Sequence, residues 1–142
     1  MTSRFIALLK TNSELSPAQQ QQQAAEQFPS AVDDSHMENW RPGEDLPTHG
    51  KQILIGVATY VVPDLQFLDA LEAKLATEGT QHETIRLFDL AAIPAFEDFG
   101  RYFPGIGKIY QTPVIGFWED GVLKEKSSGA TARDWLVRHY RL

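Results

Sequence analysis

Apolar positions are most regular in the second half of the chain, where a strand pattern is followed by a helix pattern. Gln52–Ala58 is apolar at nearly every position, which is typical of a strand covered on both faces of its sheet. Pro63–Glu78 then predicts a helix, because leucines recur at helical spacing and Gly79 favours its end. These leucines are Leu65, Leu68, Leu71 and Leu75.

Strands and helices alternate in the segment that follows. Thr84–Phe88 predicts a second strand, so the helix before it becomes the crossover between two parallel strands. The sequence PAFEDFGRYF predicts another helix, because its aromatic residues recur at helical spacing. These aromatic residues are Phe96, Phe99 and Phe103.

The last part of the chain predicts a hairpin and a helix. Val114–Trp118 is a third apolar strand, and the tight-turn sequence Glu119–Gly121 connects it to an edge strand, VLKEKSS. We expect the last helix to begin with a capping box at Thr131–Asp134. The order β-α-β-α-β-β-α over residues 52–142 therefore predicts an α/β sandwich with a mixed sheet.

The N-terminal third has a weaker pattern, and we predict an extension at residues 1–50 ahead of a domain at residues 51–142. Within it, the apolar run at 4–10 could form a strand or one turn of helix. Ser16 before Pro17 predicts the start of a helix over 16–28, and the Pro-, Gly- and acid-rich segment 29–50 predicts a loop.

One tripeptide bears on the origin of this extension. Ser35-His36-Met37 resembles a cloning remnant, which leaves open whether residues 1–36 are native to the chain or were added to it.

Composition and charge exclude several functions. The net charge of −6, with dispersed basic residues, argues against nucleic acid or an anionic membrane as partner. The absence of cysteine excludes thiol catalysis, disulfides and thiolate metal ligands. The four histidines lie in separate segments, so we expect neither a metal site nor a cofactor. Neither a signal peptide nor a membrane span is visible, and we expect a cytoplasmic protein.

Four features of residues 52–142 resemble the thioredoxin superfamily. The sequence ATYVVPD (58–64) resembles the family's A-x-W-C-G-P-C motif between a strand and a helix. Thr112-Pro113 precedes a strand, as the family's cis-proline does. Asp120-Gly121, after a phenylalanine, resembles its hairpin turn, and Gly129-Ala130 resembles the pair before its last helix. The resemblance implies a three-layer α/β/α sandwich with a mixed sheet of four or five strands.

The matching segment lacks the family's redox chemistry. Val61 and Asp64 stand at the two cysteine positions, and Ile55 stands where classical thioredoxins carry a buried acid. Dithiol exchange needs an attacking thiolate and a resolving thiol, so oxidoreductase activity is excluded. In the family, the turn before the helix and the cis-proline loop also form a groove that receives an extended peptide. This mode of binding needs no sulfur.

The resemblance therefore implies a binding groove without catalysis. Its residues are Tyr60, Val61, Val62, Pro63, Thr112 and Pro113. We expect a non-catalytic adaptor or chaperone-like accessory protein that holds an extended segment of a partner protein. Cysteine-free proteins of this fold include accessory factors for the maturation of other proteins.

Two other hypotheses use the same place in the chain. Glutathione transferases share the fold, so a glutathione or small-ligand site could use Tyr60, Thr59 and Thr112, with Thr131 or Asp134 for the ligand's amino end. The chain lacks the helical domain that completes such a site. Alternatively, the segment has only a structural role, either packed beneath the N-terminal extension or buried where two copies of the chain associate.

Overall fold

The structure is a computed structural model that describes residues 4–9, 16–40, 46–59, 61–79, 83–90, 96–107 and 111–142. Within these residues, a short 3-10 helix (Ile6–Leu9) precedes the strands and α-helices. The strands are β1 (Glu38–Asn39), β2 (Lys51–Val57), β3 (Glu83–Asp89), β4 (Val114–Glu119) and β5 (Val122–Ser128). The helices are α1 (Pro17–Asp33), α2 (Val62–Glu78), α3 (Phe96–Tyr102) and α4 (Gly129–Tyr140).

The five described strands form one mixed sheet in the order β1-β3-β2-β4-β5. Strands β1, β3 and β2 are parallel, and α2 connects the central pair β2 and β3 as predicted. Strand β4 runs antiparallel to both β2 and β5. The predicted α/β sandwich with a mixed sheet is confirmed, and the strands and helices of residues 51–142 lie within a few residues of their predicted bounds.

Alternating side chains of the strands build two separate cores, one on each face of the sheet. Ile53, Ile55 and Leu87 point to the face covered by α1, α2 and α4. Leu54 and Phe88 point to the opposite face, where the aromatic residues of α3 cover them. The sheet is therefore the middle of three layers, with three of the described helices on one side and one on the other.

The β4–β5 hairpin forms at the predicted turn. Asp120 and Gly121 both have positive φ, 51° and 84°, as in the tight turns that match the twist of paired strands. The Asp120 carboxylate accepts a hydrogen bond from the Gly50 N–H at 2.9 Å. This contact connects the hairpin to the residue that precedes β2.

The first corrections concern the N-terminal segment. The alternative of a strand over 4–10 is wrong, because Ile6–Leu9 forms a 3-10 helix. The reason lies in α2: the Asp69 carboxylate accepts the N–H groups of Phe5 and Ile6 at 2.8 and 3.0 Å, so they are not available to a sheet. The fifth strand of the sheet is Glu38–Asn39 instead.

Helix α1 begins as predicted but ends later. Ser16 is its N-cap, with a capping box in which Ser16 Oγ accepts the Gln19 N–H at 3.2 Å. The helix continues through Pro29 to Asp33, so the loop predicted over 29–50 is wrong for its first residues. Proline removes one helical hydrogen bond, but burial of Phe28 and Val32 on either side of it offsets this loss.

Segment 35–37 is part of the folded core. Met37 is 3% exposed, and the imidazole of His36 lies 2.8 Å from the buried Glu72 carboxylate. The Arg4 guanidinium contacts the same carboxylate at 3.2 Å. The described residues between 4 and 40 thus share one sheet and one core with residues 51–142.

The capping box predicted at Thr131–Asp134 is also wrong. Helix α4 begins at Gly129, and Ser128 is its N-cap without a side-chain hydrogen bond. The Gly129 N–H is held instead by the carbonyls of Gln111 and Pro113, at 3.0 and 2.8 Å. This tertiary contact accompanies an N-cap, Ser128, that lies three residues ahead of the predicted N-cap Thr131.

We expect Phe5→Ala to destabilise the protein by about 3–5 kcal/mol, because Phe5 is fully buried in the core on the α2 side of the sheet, with its ring against Phe28 of α1. The matched control is Val122→Ala, at a 55% exposed position, where the effect should stay within about 0.5 kcal/mol. Urea unfolding of both variants measures the difference. Equal effects of the two substitutions would show that the N-terminal segment does not belong to the core.

Candidate functional site

The connection between β2 and α2 is a buried turn. Ala58 and Thr59 are 7% and 2% exposed, and the Val61 N–H donates to the Ala58 carbonyl at 3.0 Å. Val61 is the N-cap in an extended conformation, and Pro63 lies in the first turn of the helix, where a missing N–H costs nothing. Tyr60, which the sequence also places in the site, lies outside the described residues.

Asp64 is the buried centre of this turn. Its side chain is fully buried, and one carboxylate oxygen accepts the Ala58 N–H at 3.2 Å. Burial raises the pKa of Asp64 above its ordinary value, while the Thr112 hydroxyl, the Ala58 N–H and the Arg133 charge oppose the rise. One carboxyl therefore interacts with the turn, with the loop before β4 and with the first turns of α4.

The loop before β4 forms the other side of the site. The peptide bond between Thr112 and Pro113 is cis. Pro113 is buried and Thr112 is partly exposed. The Gly129 N–H donates hydrogen bonds to the carbonyls on either side of Thr112, which are those of Gln111 and Pro113. The influence of the Thr112 hydroxyl on the Asp64 carboxyl places this loop near the start of α2.

The surface above Asp64 is apolar and accessible. Val62 is 44% exposed, Pro63 is exposed and Val61 is partly exposed. In the described part of the chain, the other exposed large hydrophobic residues are Val122 and Leu142, on a hairpin and at the C-terminus. The described residues of the N-terminal extension thus leave Val62 open to solvent.

Sequence reasoning missed two contributors to the site. The sequence analysis places Asp64 at a cysteine position without a role of its own, and it does not place Arg133 near the site. The signal that could have identified Asp64 is its place at the family's second cysteine position. That position lies at the start of a helix that packs against the sheet. Nothing in the local sequence of Arg133 indicates its proximity to Asp64. In the chain 68 residues lie between the two, and the position of α4 in the fold brings them close together.

Three further findings complete the description of the site and the chain. Among the residues that the structure describes, no cluster of three or more His, Asp or Glu side chains is arranged to hold a metal ion. The described helices include none with the length and apolar character needed to cross a bilayer. Comparison with protein-family models and with curated proteins finds no match to this chain.

We expect Asp64→Asn to increase stability more at pH 7.5 than at pH 4. The raised pKa means that the protonated carboxyl of the folded state contributes stability at low pH, and this contribution is lost as the pH rises through the folded-state pKa. Asparagine keeps the shape and removes the titration, so the difference between the two pH values should be about 1.4 kcal/mol for each unit of pKa rise.

Urea unfolding at both pH values tests this expectation, with Asp134→Asn as the control because Asp134 is exposed on α4. A stability difference between wild type and Asp64→Asn that is the same at both pH values would contradict it.

We expect Gly129→Ala to destabilise the protein by about 1–3 kcal/mol, because Gly129 has a φ of +63° that L-residues rarely adopt. A Cβ there would also lie 3.0 Å from the Gln111 side chain. The matched control is Gly100→Ala in α3, where a Cβ meets no neighbour within 4 Å and should stabilise the helix by about 0.5–1 kcal/mol. Thermal and urea unfolding measure both, and effects of the same sign would refute this account of Gly129.

Proposed function

We propose that this protein is a non-catalytic, thioredoxin-like adaptor that binds an extended, apolar segment of a partner protein. The binding surface consists of Val61, Val62, Pro63 and Thr112, with the buried cis-proline Pro113 beneath the loop side and Tyr60 as a further member from the sequence. The observation that carries the proposal is the exposure of Val62 and Pro63 at the start of α2, directly beside the loop that contains Thr112.

The order and direction of the strands support the thioredoxin-like assignment. The order β1-β3-β2-β4-β5, with β4 antiparallel to the other four strands, accompanies a strand–turn–helix unit at 51–78 and a proline loop before β4. In that family the same two segments face each other across the redox site. Here the helix start carries valines where the family has its reactive thiol and glycine.

The backbone near Thr112 supports recognition of an extended chain. In the part of the chain that the structure describes, the main-chain N–H and C=O of Thr112 make no hydrogen bond. Such groups at a surface can pair with the backbone of an added extended segment, while exposed apolar side chains accept the segment's own side chains. Val62 and Pro63 offer that apolar contact.

The burial of the Asp64 carboxyl supports a binding function rather than a catalytic one. Asp64 has no exposed surface, so a bound substrate could not reach it, and its interactions connect parts of the protein to each other. A fixed scaffold under a contact surface lowers the ordering cost of binding. The net charge of −6 favours a partner segment that is neutral or basic.

The small-ligand hypothesis at this site has less support. Thr59, one hydroxyl proposed for it, is 2% exposed. Thr131 and Asp134 are exposed side chains on α4. Self-association through Val62 remains an outcome that the experiment below distinguishes, because two copies in contact would change the molecular mass.

We expect peptides selected from a random library against the wild-type protein to lose at least ten-fold in affinity for Val62→Asp and for Thr112→Arg. Aspartate removes the apolar contact and suits a helix N-terminus, and arginine obstructs the loop side of the groove without entering the core. The matched control is Val122→Asp, the same substitution at a 55% exposed position on the hairpin, which should bind as wild type does.

Fluorescence anisotropy measures these affinities, and sedimentation measures the mass of each variant. Three outcomes contradict the proposal: no peptide is selected, binding is unchanged in both site variants, or binding is lost equally in Val122→Asp. A wild-type dimer that Val62→Asp dissociates would assign the surface to self-association instead.

A further inference from the structure

Helix α4 meets the proposed binding surface at its first turn. The Gly129 N–H donates to the carbonyls of Gln111 and Pro113 at 3.0 and 2.8 Å, so α4 starts directly against the loop before β4. Residues four apart in an α-helix are neighbours on one face, about one turn from each other. Arg133 therefore follows Gly129 on the side of α4 that meets this loop.

A second observation places Arg133 near the other half of the surface. Burial raises the pKa of the Asp64 carboxyl, and the positive charge of Arg133 is one of the groups that oppose this rise. Charges affect each other in this way only at short range, because solvent and salt screen distant ones. Asp64 lies in the first turn of α2, directly below the valines of the surface. Arg133 thus lies close to both segments that form it.

The guanidinium of Arg133 has no counter-ion among the residues that the structure describes. The ion pairs found there involve other side chains. No position three or four residues from Arg133 carries an acid, so it cannot form the kind of pair that Lys74 makes with Glu78 in α2. Asp64 does not act as a counter-ion by direct contact either, since the one described hydrogen bond of its carboxyl is to the Ala58 N–H.

The Arg133 side chain is packed at its stem without being enclosed. Its Nε atom is buried and makes no hydrogen bond with any described residue, whereas the residue as a whole is partly exposed. A packed stem restricts the side chain, so less conformational entropy is lost when the guanidinium binds a partner. A guanidinium binds one carboxylate through two parallel hydrogen bonds. An unpaired guanidinium beside an apolar surface is therefore suited to a carboxylate of the bound segment.

The charge of the whole chain limits how acidic this segment can be. The net charge of −6 disfavours a segment that carries many acidic residues. A single carboxylate next to Arg133 is compatible with a segment that is otherwise neutral or basic. Val62 and Pro63 are exposed and supply the apolar contact that the rest of the segment needs.

We propose that Arg133 is a specificity-determining residue of the binding surface, and that it pairs with one Asp or Glu side chain of the partner's extended segment. This inference rests on the proposed function and deepens it, because it names the chemistry by which the surface selects its partner. An apolar residue of the segment contacts Val62 and Pro63, and the acidic residue lies on the side of α4.

Selection from a random library of C-terminally amidated peptides, in parallel against wild type and Arg133→Met, tests the proposal. We expect Asp or Glu at one fixed position among the peptides that wild type selects, and no acidic preference at that position with Arg133→Met. In one such peptide, replacement of the acid by its amide should weaken binding to wild type about three- to ten-fold. The same replacement should change binding to Arg133→Met by less than about two-fold, since the pair is then absent.

Further variants separate recognition of charge from loss of structure. Arg133→Gln, a second neutral substitution, should also lose the preference for the acidic peptide while it still binds the amide form. Arg138→Met is the matched control, because it removes the same charge from an exposed position of the same helix, and it should keep the full preference. Fluorescence anisotropy of the acidic and the amide peptide measures this preference as a ratio of two affinities.

The outcomes distinguish this inference from the proposed function. Peptides that bind and depend on Val62 but show no acidic preference would overturn the inference and leave the proposed function intact. The same holds for a preference that persists in both Arg133 variants, or one that is lost equally in Arg138→Met. If no peptide is selected, or if Val62→Asp and Thr112→Arg bind as wild type does, the proposed function and this inference fail together.

Discussion

The burial of β2 on both faces is the constraint on which the rest of the structure depends. Every residue from Ile53 to Thr59 is buried, and the strand pairs with β3 on one side and with β4 on the other. A strand of this kind requires a covering layer above and below the sheet. Gly56 shows how closely the cover packs, because a Cβ at that position would lie 2.5 Å from the Leu90 side chain.

The two covers of the sheet are unequal. Helices α1, α2 and α4 fill one face, with the N-terminal segment fixed to α2 through Asp69 and Glu72. On that side, the chain leaves the carboxyl end of β2 and enters α2 through exposed valines. The other face has α3 and a segment without helix, and a cavity remains there. The proposed binding surface thus lies at a helix start, and the other face keeps a cavity among the side chains that the structure describes.

Asp64 is a buried carboxyl at the start of α2. In the thioredoxin-like interpretation it stands at a cysteine position, but its carboxyl is buried: Oδ2 accepts the Ala58 N–H, Oδ1 makes no hydrogen bond with any described residue, and the Thr112 hydroxyl favours the charged form. Burial of an acid that retains such partners connects the turn before α2 to the loop before β4. The geometry of the surface above it is then maintained by a polar contact below it, without a disulfide or a metal ion in the described residues.

The sequence by itself determined the elements whose periodicity is strong, from β2 through α4, because burial on one or both faces imposes a period that local residues display. It also indicated the groove residues, through spacing that resembles a known family. Only the tertiary structure decided the N-terminal 3-10 helix, the passage of α1 through Pro29 and the start of α4 at Gly129. Each depends on residues distant in sequence. The 3-10 helix depends on Asp69, the passage through Pro29 depends on the core around Phe28 and Val32, and the start of α4 depends on the carbonyls of Gln111 and Pro113. The cavity and the position of Arg133 near Asp64 were likewise invisible to local pattern, since they arise from the packing of segments that no short-range spacing relates.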